Sequence, residues 1–280
     1  MRKEQINIPF KQSATLALWK VDGETSVDGK NVFLTHGTFS NRKICLGISE
    51  FLVENGCTCW ILEWRNHGAS SNLSEPYNFE RIGKEDIKAA FDYLFVHEKI
   101  KEIDCVTHSG GAISLTIYLI EFPQYISNIN KMVFFVGQSS GAAHSIGNRI
   151  KILIGKLLSK ALGQIPAKRF GGPHNESYLF MKQWFEWNLT NTFVGETGKN
   201  YRLEMPKIKI PILAIGGSGD TFIAPVSGCK AFLARFKNPK NKFLTCGKAT
   251  GYSEDYNHSR IIYSRNAERE IYPEVLKWLE

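Results

Sequence analysis

The sequence of 280 residues lacks the long apolar segments that a membrane-spanning helix needs. Its longest apolar runs, such as Met132 to Val136, are far shorter than the roughly 20 residues that cross a bilayer. The first residues, Met1 to Asn7, are mostly polar or charged and contain no apolar core of a secretion signal. We therefore expect a soluble, cytoplasmic protein.

Cysteine pairs at metal-binding spacing are also missing. The six cysteines include no Cys-x-x-Cys pair, and most of them lie within runs that predict strands or helices. Cys57 and Cys59 would share one face of a strand, but no further zinc ligands lie near them in the sequence. We expect reduced structural thiols, no metal site and no cofactor.

Nucleic-acid modules, internal repeats and low-complexity segments are absent as well. A net charge of +8 is compatible with an anionic partner of any class, whether nucleic acid, membrane surface or acidic substrate. The lysines are dispersed, however, and the aromatic residues are not interleaved with them on repeated strands. We expect no nucleic-acid partner, and the sequence leaves the oligomeric state open.

A strand, a tight turn and a helix follow one another in the middle of the chain. Glu102 to Thr107 carries β-branched residues and ends abruptly, whereas Ala112 to Phe122 is apolar almost all round and stops at Pro123. Ser109 lies between them, followed by two glycines that let helix and strand pack closely. We interpret Ser109 as a nucleophile, the alternative being an ordinary serine in a strand-to-helix turn.

Predicted strands and helices alternate from Asn31 onward. The strand Asn31 to Thr35 ends in a His-Gly turn and is followed by a helix, and Cys57 to Trp64 forms the next strand. A helix from about Phe79 to Glu98 then leads into the strand before Ser109. Because parallel strands need such crossovers, we predict an α/β fold with a predominantly parallel sheet flanked by helices.

The alternation stops after the strand Lys131 to Val136 and resumes only at Ile210. The interval is too long for a loop, and it contains an amphipathic segment, His144 to Leu162, and an aromatic one, Tyr178 to Trp187. We predict a helical cap inserted after the sixth strand. This prediction divides the chain into a first core part over residues 1–136, a cap over residues 137–206 and a second core part over residues 207–280.

Two further polar residues follow predicted strands near the end of the chain. Asp220 comes directly after the strand that begins at Ile210, and His258 lies in a polar loop after the strand Lys242 to Cys246. A serine needs a base to take its proton, and histidine is suited to that role when an aspartate orients it. Asp255 is the rival acid, but its three-residue separation from His258 suits a local turn better.

The motif Thr107-His108-Ser109-Gly110-Gly111 resembles the nucleophile elbow of the α/β-hydrolase superfamily, usually written Gly-x-Ser-x-Gly. Thr107 stands in place of the first glycine. The order of serine, aspartate and histidine, each after a strand, is also similar to that of the superfamily. The glycine-rich stretch before Asp220 is no phosphate loop, because it lacks the glycine spacing and the Lys-Ser/Thr pair.

The resemblance implies a serine hydrolase of the esterase or lipase type with Ser109, Asp220 and His258 as its catalytic triad. It further implies an oxyanion hole formed by the backbone N–H groups of Thr38 and Gly110. We expect cleavage of a carboxylic ester of an apolar or lipid-like small molecule through an acyl-enzyme. A thioesterase or another acyl hydrolase is the nearest alternative, and a non-catalytic binding or signalling protein on the same fold is a different class.

One helix of the predicted cap combines an apolar face with a basic stripe. At about 100° per residue, the apolar face holds Ile146, Ile150, Leu153, Leu157 and Ala161, and the stripe beside it holds Arg149, Lys156 and Lys160. An apolar face flanked by cations is what an interfacial helix requires, which suggests peripheral contact with an anionic lipid surface. Alternatively, the apolar face covers the catalytic pocket and the cations are only solvated.

Overall fold

An eight-stranded sheet forms the centre of the structure, a computed structural model that describes residues 1–23, 29–170 and 172–280. In the order in which they lie side by side, the strands are β1 (Arg2–Phe10), β2 (Ala14–Asp22), β4 (Thr58–Leu62), β3 (Asn31–Thr35), β5 (Ile103–His108), β6 (Ile129–Phe135), β9 (Ile212–Gly217) and β10 (Lys242–Cys246). The pairs β1–β2 and β2–β4 are antiparallel, and the pairs from β4 to β10 are parallel. The predicted, predominantly parallel α/β sheet is confirmed.

Helices connect the strands and cover both faces of the sheet. They are α1 (Lys43–Glu54), α2 (Phe79–Arg81, Ile82–Ile87, Lys88–Asp92 and Tyr93–His97 in succession), α3 (Gly110–Glu121), α4 (Ile146–Leu162), α5 (Tyr178–Thr190), α6 (Tyr201–Glu204), α7 (Val226–Leu233), α8 (Arg260–Tyr263), α9 (Arg265–Glu270) and α10 (Tyr272–Leu279). The second and fourth segments of α2 are π-helical, so the predicted helix departs twice from α geometry.

The central strands are buried on both faces because side chains alternate along them. Phe33 of β3 packs with Phe91 of α2, the ring centroids being 4.6 Å apart. Its neighbours Val32 and Leu34 belong instead to the hydrophobic cluster that contains Cys45 of α1. In the sequence, such strands are short, continuous apolar runs, and their shortness distinguishes them from buried helices.

Residues 137–211, between β6 and β9, contain α4, α5, α6 and a short antiparallel pair, β7 (Gln164–Ile165) with β8 (Glu176–Ser177). The segment packs directly on the rest of the molecule: the Phe180 ring of α5 lies 4.5 Å from that of Phe79 in α2, and Trp187 lies 5.6 Å from it. This packing brings the segment over the end of the sheet at which the parallel strands terminate. The division into core and cap at residues 136 and 207 stays a prediction.

The six cysteines are buried and free. Burial raises the pKa of each thiol above its ordinary value, so the thiolate form that nucleophiles and metal ligands require is disfavoured. Over the described part of the chain, no group of three or more histidine, cysteine or acidic residues is arranged to hold a metal ion. In the same residues, no helix is long and apolar enough to cross a membrane.

Candidate active site

Ser109 occupies a strained turn between β5 and α3. Its backbone has φ 53° and ψ −118°, a conformation that residues other than glycine rarely adopt. Its N–H donates to the carbonyl oxygen of Phe135 over 2.8 Å, which ties the turn to β6. Gly37 packs so closely on this turn that an added Cβ would lie 2.7 Å from Cβ of Ser109. The surroundings therefore fix the strained serine at the carboxyl end of the sheet.

Thr107 replaces the glycine that usually precedes the elbow by two positions, and the structure shows how the larger side chain fits. It is fully buried, and its hydroxyl donates to the carbonyl oxygen of Val133 in β6 over 3.4 Å. The side chain therefore turns along the sheet and away from the serine. The departure from the family motif leaves the geometry of the turn intact.

The structure brings Ser109, His258 and Asp220 together, although they lie far apart in the sequence. The hydroxyl of Ser109 donates to Nε2 of His258 over 2.9 Å. Nδ1 of His258 donates to Oδ2 of Asp220 over 2.5 Å. One imidazole thus contacts the hydroxyl with one nitrogen and the carboxylate with the other, the geometry of a serine, its base and the base's orienting acid.

The second oxygen of Asp220 is held as well. Oδ1 accepts hydrogen bonds from the backbone N–H groups of Ile223 and Ala224, over 3.0 and 3.1 Å. Burial opposes ionisation of this carboxyl, but the hydrogen bond from His258 and the two backbone donors hold its pKa below the ordinary value. Asp220 is therefore a fixed anion that can stabilise a protonated His258.

The rival acid, Asp255, lies elsewhere. Its Oδ1 accepts from the hydroxyl of Ser218 over 2.7 Å and from the backbone N–H of Lys248 over 3.0 Å. The residue is exposed and has no hydrogen bond to His258 in the described part of the chain. Asp255 therefore joins the loop after β9 to the loop after β10 and does not orient His258.

Thr38 and Gly110, predicted to form the oxyanion hole, line the same cavity as Ser109 and His258. An added Cβ on Gly37 would lie 3.0 Å from the backbone nitrogen of Gly110, so the loop before Thr38 reaches the start of α3. Neither N–H has an acceptor among the described residues, and that of Gly110 is one of the first, intrinsically unpaired donors of its helix. Both groups are available to a ligand beside Ser109.

A cavity of about 820 Å³ opens beside the serine. Its walls are predominantly apolar, and many lining residues belong to the segment 137–211. The apolar lining includes Ile152, Met181, Trp184 and Phe185 from this segment and Ile113 and Phe222 from outside it. Trp184 therefore lines the cavity, whereas Trp187 packs on Phe79 and Phe193 in the core. The two tryptophans of α5 therefore have different roles. Such a cavity suits an apolar ligand with few polar groups.

Two features beside the site gave no separate signal in the sequence. His108 is buried, and its Nε2 contacts the carbonyl oxygen of His258. Glu176 of β8 is also buried, and its carboxylate accepts from His67, over 2.9 Å, and from the backbone N–H of Phe39 next to Thr38, also over 2.9 Å. His67 and Glu176 lie 109 positions apart, so no local pattern joins them.

Comparisons with known proteins agree with this architecture. Residues 30–133 match a family model described as the α/β-hydrolase fold. An esterase of Pyrococcus furiosus superposes with a TM-score of 0.63 at 20% identity, over 99% of this chain and 91% of that one. For α/β-hydrolase domain-containing protein 10 from mouse, the TM-score is 0.66 at 13% identity, over 100% and 98% of the two chains.

Est1E from Butyrivibrio proteoclasticus, solved with ferulic acid bound, superposes with a TM-score of 0.67 at 13% identity, over 98% of this chain and 99% of that one. A search of curated proteins found no match to the sequence. The sheet order, the position of the serine turn and these superpositions define one fold. These comparisons show that the chain has the α/β-hydrolase fold.

Proposed function

We propose that the protein is a serine hydrolase that cleaves a carboxylic ester of an apolar or lipid-like substrate. One observation carries the proposal: Ser109, His258 and Asp220 form a continuous chain of hydrogen bonds at the edge of an apolar cavity. A hydroxyl paired with a base becomes nucleophilic, and the same base can return the proton to a leaving group. The esterases among the superposed structures are compatible with this proposal.

The proposed reaction is acyl transfer in two steps. Oγ of Ser109 attacks the ester carbonyl carbon while its proton passes to Nε2 of His258, and the carbonyl oxygen becomes an oxyanion held by Thr38 and Gly110. Each such donor contributes roughly 3 kcal/mol to stabilising the transition state. The carbon–oxygen bond to the alcohol then breaks, and His258 protonates the departing alcohol.

The acyl-enzyme is hydrolysed by the same groups. A water molecule gives a proton to His258 and attacks the acyl carbon, after which the bond to Oγ of Ser109 breaks and the serine recovers its proton. The products are a carboxylic acid and an alcohol. The cavity supports an apolar acyl chain because its lining offers dispersion contacts and few hydrogen-bonding groups.

Labelling with a fluorophosphonate probe, followed by peptide mapping, tests the nucleophile. We expect modification of Ser109 alone, with Ser109→Ala losing both the label and nearly all ester turnover while its thermal unfolding stays close to the parent's. Ser40→Ala is the matched control, because Ser40 lines the same cavity but its hydroxyl donates to the backbone carbonyl of Asn41. Absence of labelling in the folded parent would favour a non-catalytic binding protein.

Matched substrates separate the ester from the thioester proposal. Both leaving groups are compatible with the triad, since the chemistry at the carbonyl carbon is the same. An oxygen ester and a thioester that share one acyl chain differ only in the leaving group. We expect the higher kcat/KM for the oxygen ester, and the reverse order would make the protein a thioesterase.

We also propose a cytoplasmic location. Free cysteines persist in reducing compartments, and the six thiols here are unpaired and buried. Fractionation of cells that express the tagged chain, with marker enzymes for each compartment, measures the location directly.

A further inference from the structure

Helix α4 exposes its apolar side chains to solvent. Its buried residues are Asn148, Ile152 and Ser159, spaced four and seven apart, so a narrow and largely polar stripe faces the protein. The exposed apolar side chains range from 46% exposed at Leu153 to 79% at Ile146, and they are Ile146, Ile150, Leu153, Ile154, Leu157, Leu158 and Leu162. The five residues that the sequence places on the apolar face are exposed and do not line the cavity beside Ser109; they are Ile146, Ile150, Leu153, Leu157 and Ala161.

The orientation of α4 is fixed by hydrogen bonds of Asn148. Its Nδ2 donates to the carbonyl oxygens of Ala142 and Thr221, each over 3.1 Å, and Thr221 follows the candidate acid directly. Rolling the helix to bury its leucines would break these bonds and bury unpaired polar groups. The exposed apolar face is therefore built into the fold, and soluble proteins rarely leave a contiguous apolar face of this kind without a partner.

Positive charge borders one side of this face and is also present near the other. On a helical wheel, Arg149 and Lys160 lie along one edge of the apolar sector, and the helix contains no acidic residue. Lys151 lies within the sector near its opposite edge, where it lines the cavity. Neither Arg149 nor Lys160 has an ion-pair partner in the described part of the chain. Lys156, which the sequence grouped with them, is half-buried and lies 3.6 Å from Glu186. The free charges favour an anionic partner.

The apolar face is continuous with the mouth of the cavity. Leu158 and Leu162 of α4 both line the cavity and remain more than half exposed, and Ile223 and Tyr263 form further exposed apolar lining. A molecule dissolved in an apolar phase against α4 would reach Ser109 without crossing water. An apolar face, a cationic border and an adjoining apolar cavity together match the chemistry of a lipid surface.

We propose that α4 docks on an anionic lipid surface, with its leucine and isoleucine side chains among the acyl chains and Arg149 and Lys160 at the headgroups. The inference deepens the proposed function and rests on it for its purpose, since it supplies the surface from which an apolar ester enters. Docking itself requires no turnover. Binding can therefore be measured with Ser109→Ala, separately from catalysis.

The test is sedimentation with vesicles of phosphatidylcholine, alone or mixed with phosphatidylglycerol, at low and high salt. We expect Ser109→Ala to bind the anionic vesicles and to bind neutral ones more weakly. Adding Arg149→Gln with Lys160→Gln should weaken anionic binding about 25-fold, because each cation near such a surface contributes about fivefold. Adding Leu153→Ser with Leu157→Ser should weaken it by at least about tenfold, because the inserted apolar area is lost.

The matched control is Lys237→Gln with Lys240→Gln. Both lysines are exposed, and they precede β10, so they lie at the amino end of the parallel strands, whereas Ser109 lies at the carboxyl end. This pair therefore removes the same charge from a surface far from α4. We expect it to change binding by less than about threefold. Neither pair of substituted cations lines the cavity, so turnover of a soluble short-chain ester by the otherwise unchanged enzyme should stay at the parent level.

Three results would overturn the proposal. The first is a parent that does not bind anionic vesicles. The second is an equal loss of vesicle binding when Arg149 and Lys160 are replaced and when Lys237 and Lys240 are replaced. The third is a dimer in solution that Leu153→Ser with Leu157→Ser converts to a monomer. The last would show that a second copy covers the face. Failure of Ser109 labelling with intact vesicle binding would instead reject the proposed function alone.

Discussion

Nε2 of His108 donates a hydrogen bond to the backbone carbonyl oxygen of His258 over 2.9 Å. The residue before the candidate nucleophile therefore holds the loop that carries the candidate base. A carbonyl oxygen only accepts, so Nε2 carries the proton, and Nδ1 has no partner among the described residues. Burial, followed by the neighbouring His258, lowers the pKa of His108 to about 3. His108 thus fixes the loop without placing a charge beside the base.

Replacing His108 separates its hydrogen bond from its bulk. We expect His108→Ala to lower kcat about tenfold with little change in KM, because the loop of His258 loses a bond of about 1 kcal/mol and the base is held less well. His108→Gln keeps a donor and should stay within about threefold of the parent. Steady-state kinetics and thermal unfolding of both variants provide the measurement. Equal loss of kcat in the two variants would assign His108 to packing only.

The acid is tested by a second pair. Asp220→Asn should lower kcat about 10³–10⁴-fold, because an amide stabilises the wrong tautomer of His258 and cannot balance its charge. Asp255→Asn should stay within about threefold, since Asp255 is exposed and bonds to Ser218 and Lys248 but not to His258. Turnover of one soluble ester by both variants decides between them. A larger loss in Asp255→Asn would refute the assignment of Asp220.

The positions of Ser109, Asp220 and His258 after three strands could be predicted because the carboxyl ends of parallel strands meet at one edge of a sheet. Apolar periodicity finds the strands, and the strand order brings their final loops together. Thr107 did not obscure this pattern, because its buried side chain bonds to Val133 and leaves the turn at Ser109 intact. This part of the site follows from local patterns added along the chain.

The orientation of α4 and the contacts of Glu176 could not be predicted in the same way. A helical wheel gives the apolar sector of α4 but not which sector faces the protein, and here Asn148 decides it by bonding to Thr221, 73 positions away. Glu176 likewise looks like any polar residue in an irregular stretch until tertiary contacts bury it. Long-range hydrogen bonds between polar side chains produce no periodic pattern in the sequence, so they could not be predicted from it.

Glu176 joins the segment 137–211 to the loop of the candidate oxyanion hole. One oxygen accepts from His67 and from the N–H of Phe39, both over 2.9 Å, and the other accepts from Tyr77 over 3.3 Å. Burial opposes the charge of His67, but the Glu176 carboxylate raises its pKa above the ordinary value. A charged pair in the interior therefore fastens Phe39, and with it the N–H of Thr38.

The raised pKa of His67 gives this fastening a defined pH dependence. A histidine whose pKa is higher in the folded than in the unfolded protein contributes stability that is complete below the unfolded value, about 6.5, and is lost as the pH rises through the folded value. Protection of the Phe39 amide from hydrogen exchange, corrected for intrinsic rates, should thus fall as the pH rises above about 6.5. In Glu176→Gln the uncharged partner should remove most of this dependence.

We also expect the contacts of Glu176 to affect turnover. Glu176→Ala removes the carboxylate that accepts from His67, Phe39 and Tyr77, so the Thr38 N–H should be held less well. We expect kcat to fall about tenfold while KM changes less. Tyr77→Phe is the matched control, because it removes the 3.3 Å bond and leaves the carboxylate with His67 and Phe39. We expect that variant to keep kcat within about twofold.

If Tyr77→Phe and Glu176→Ala lose activity equally, or if Phe39 exchange is insensitive to Glu176, the carboxylate only fills a buried site. The difference between the two variants therefore measures how far the contact between segment 137–211 and the loop of Thr38 supports the oxyanion hole.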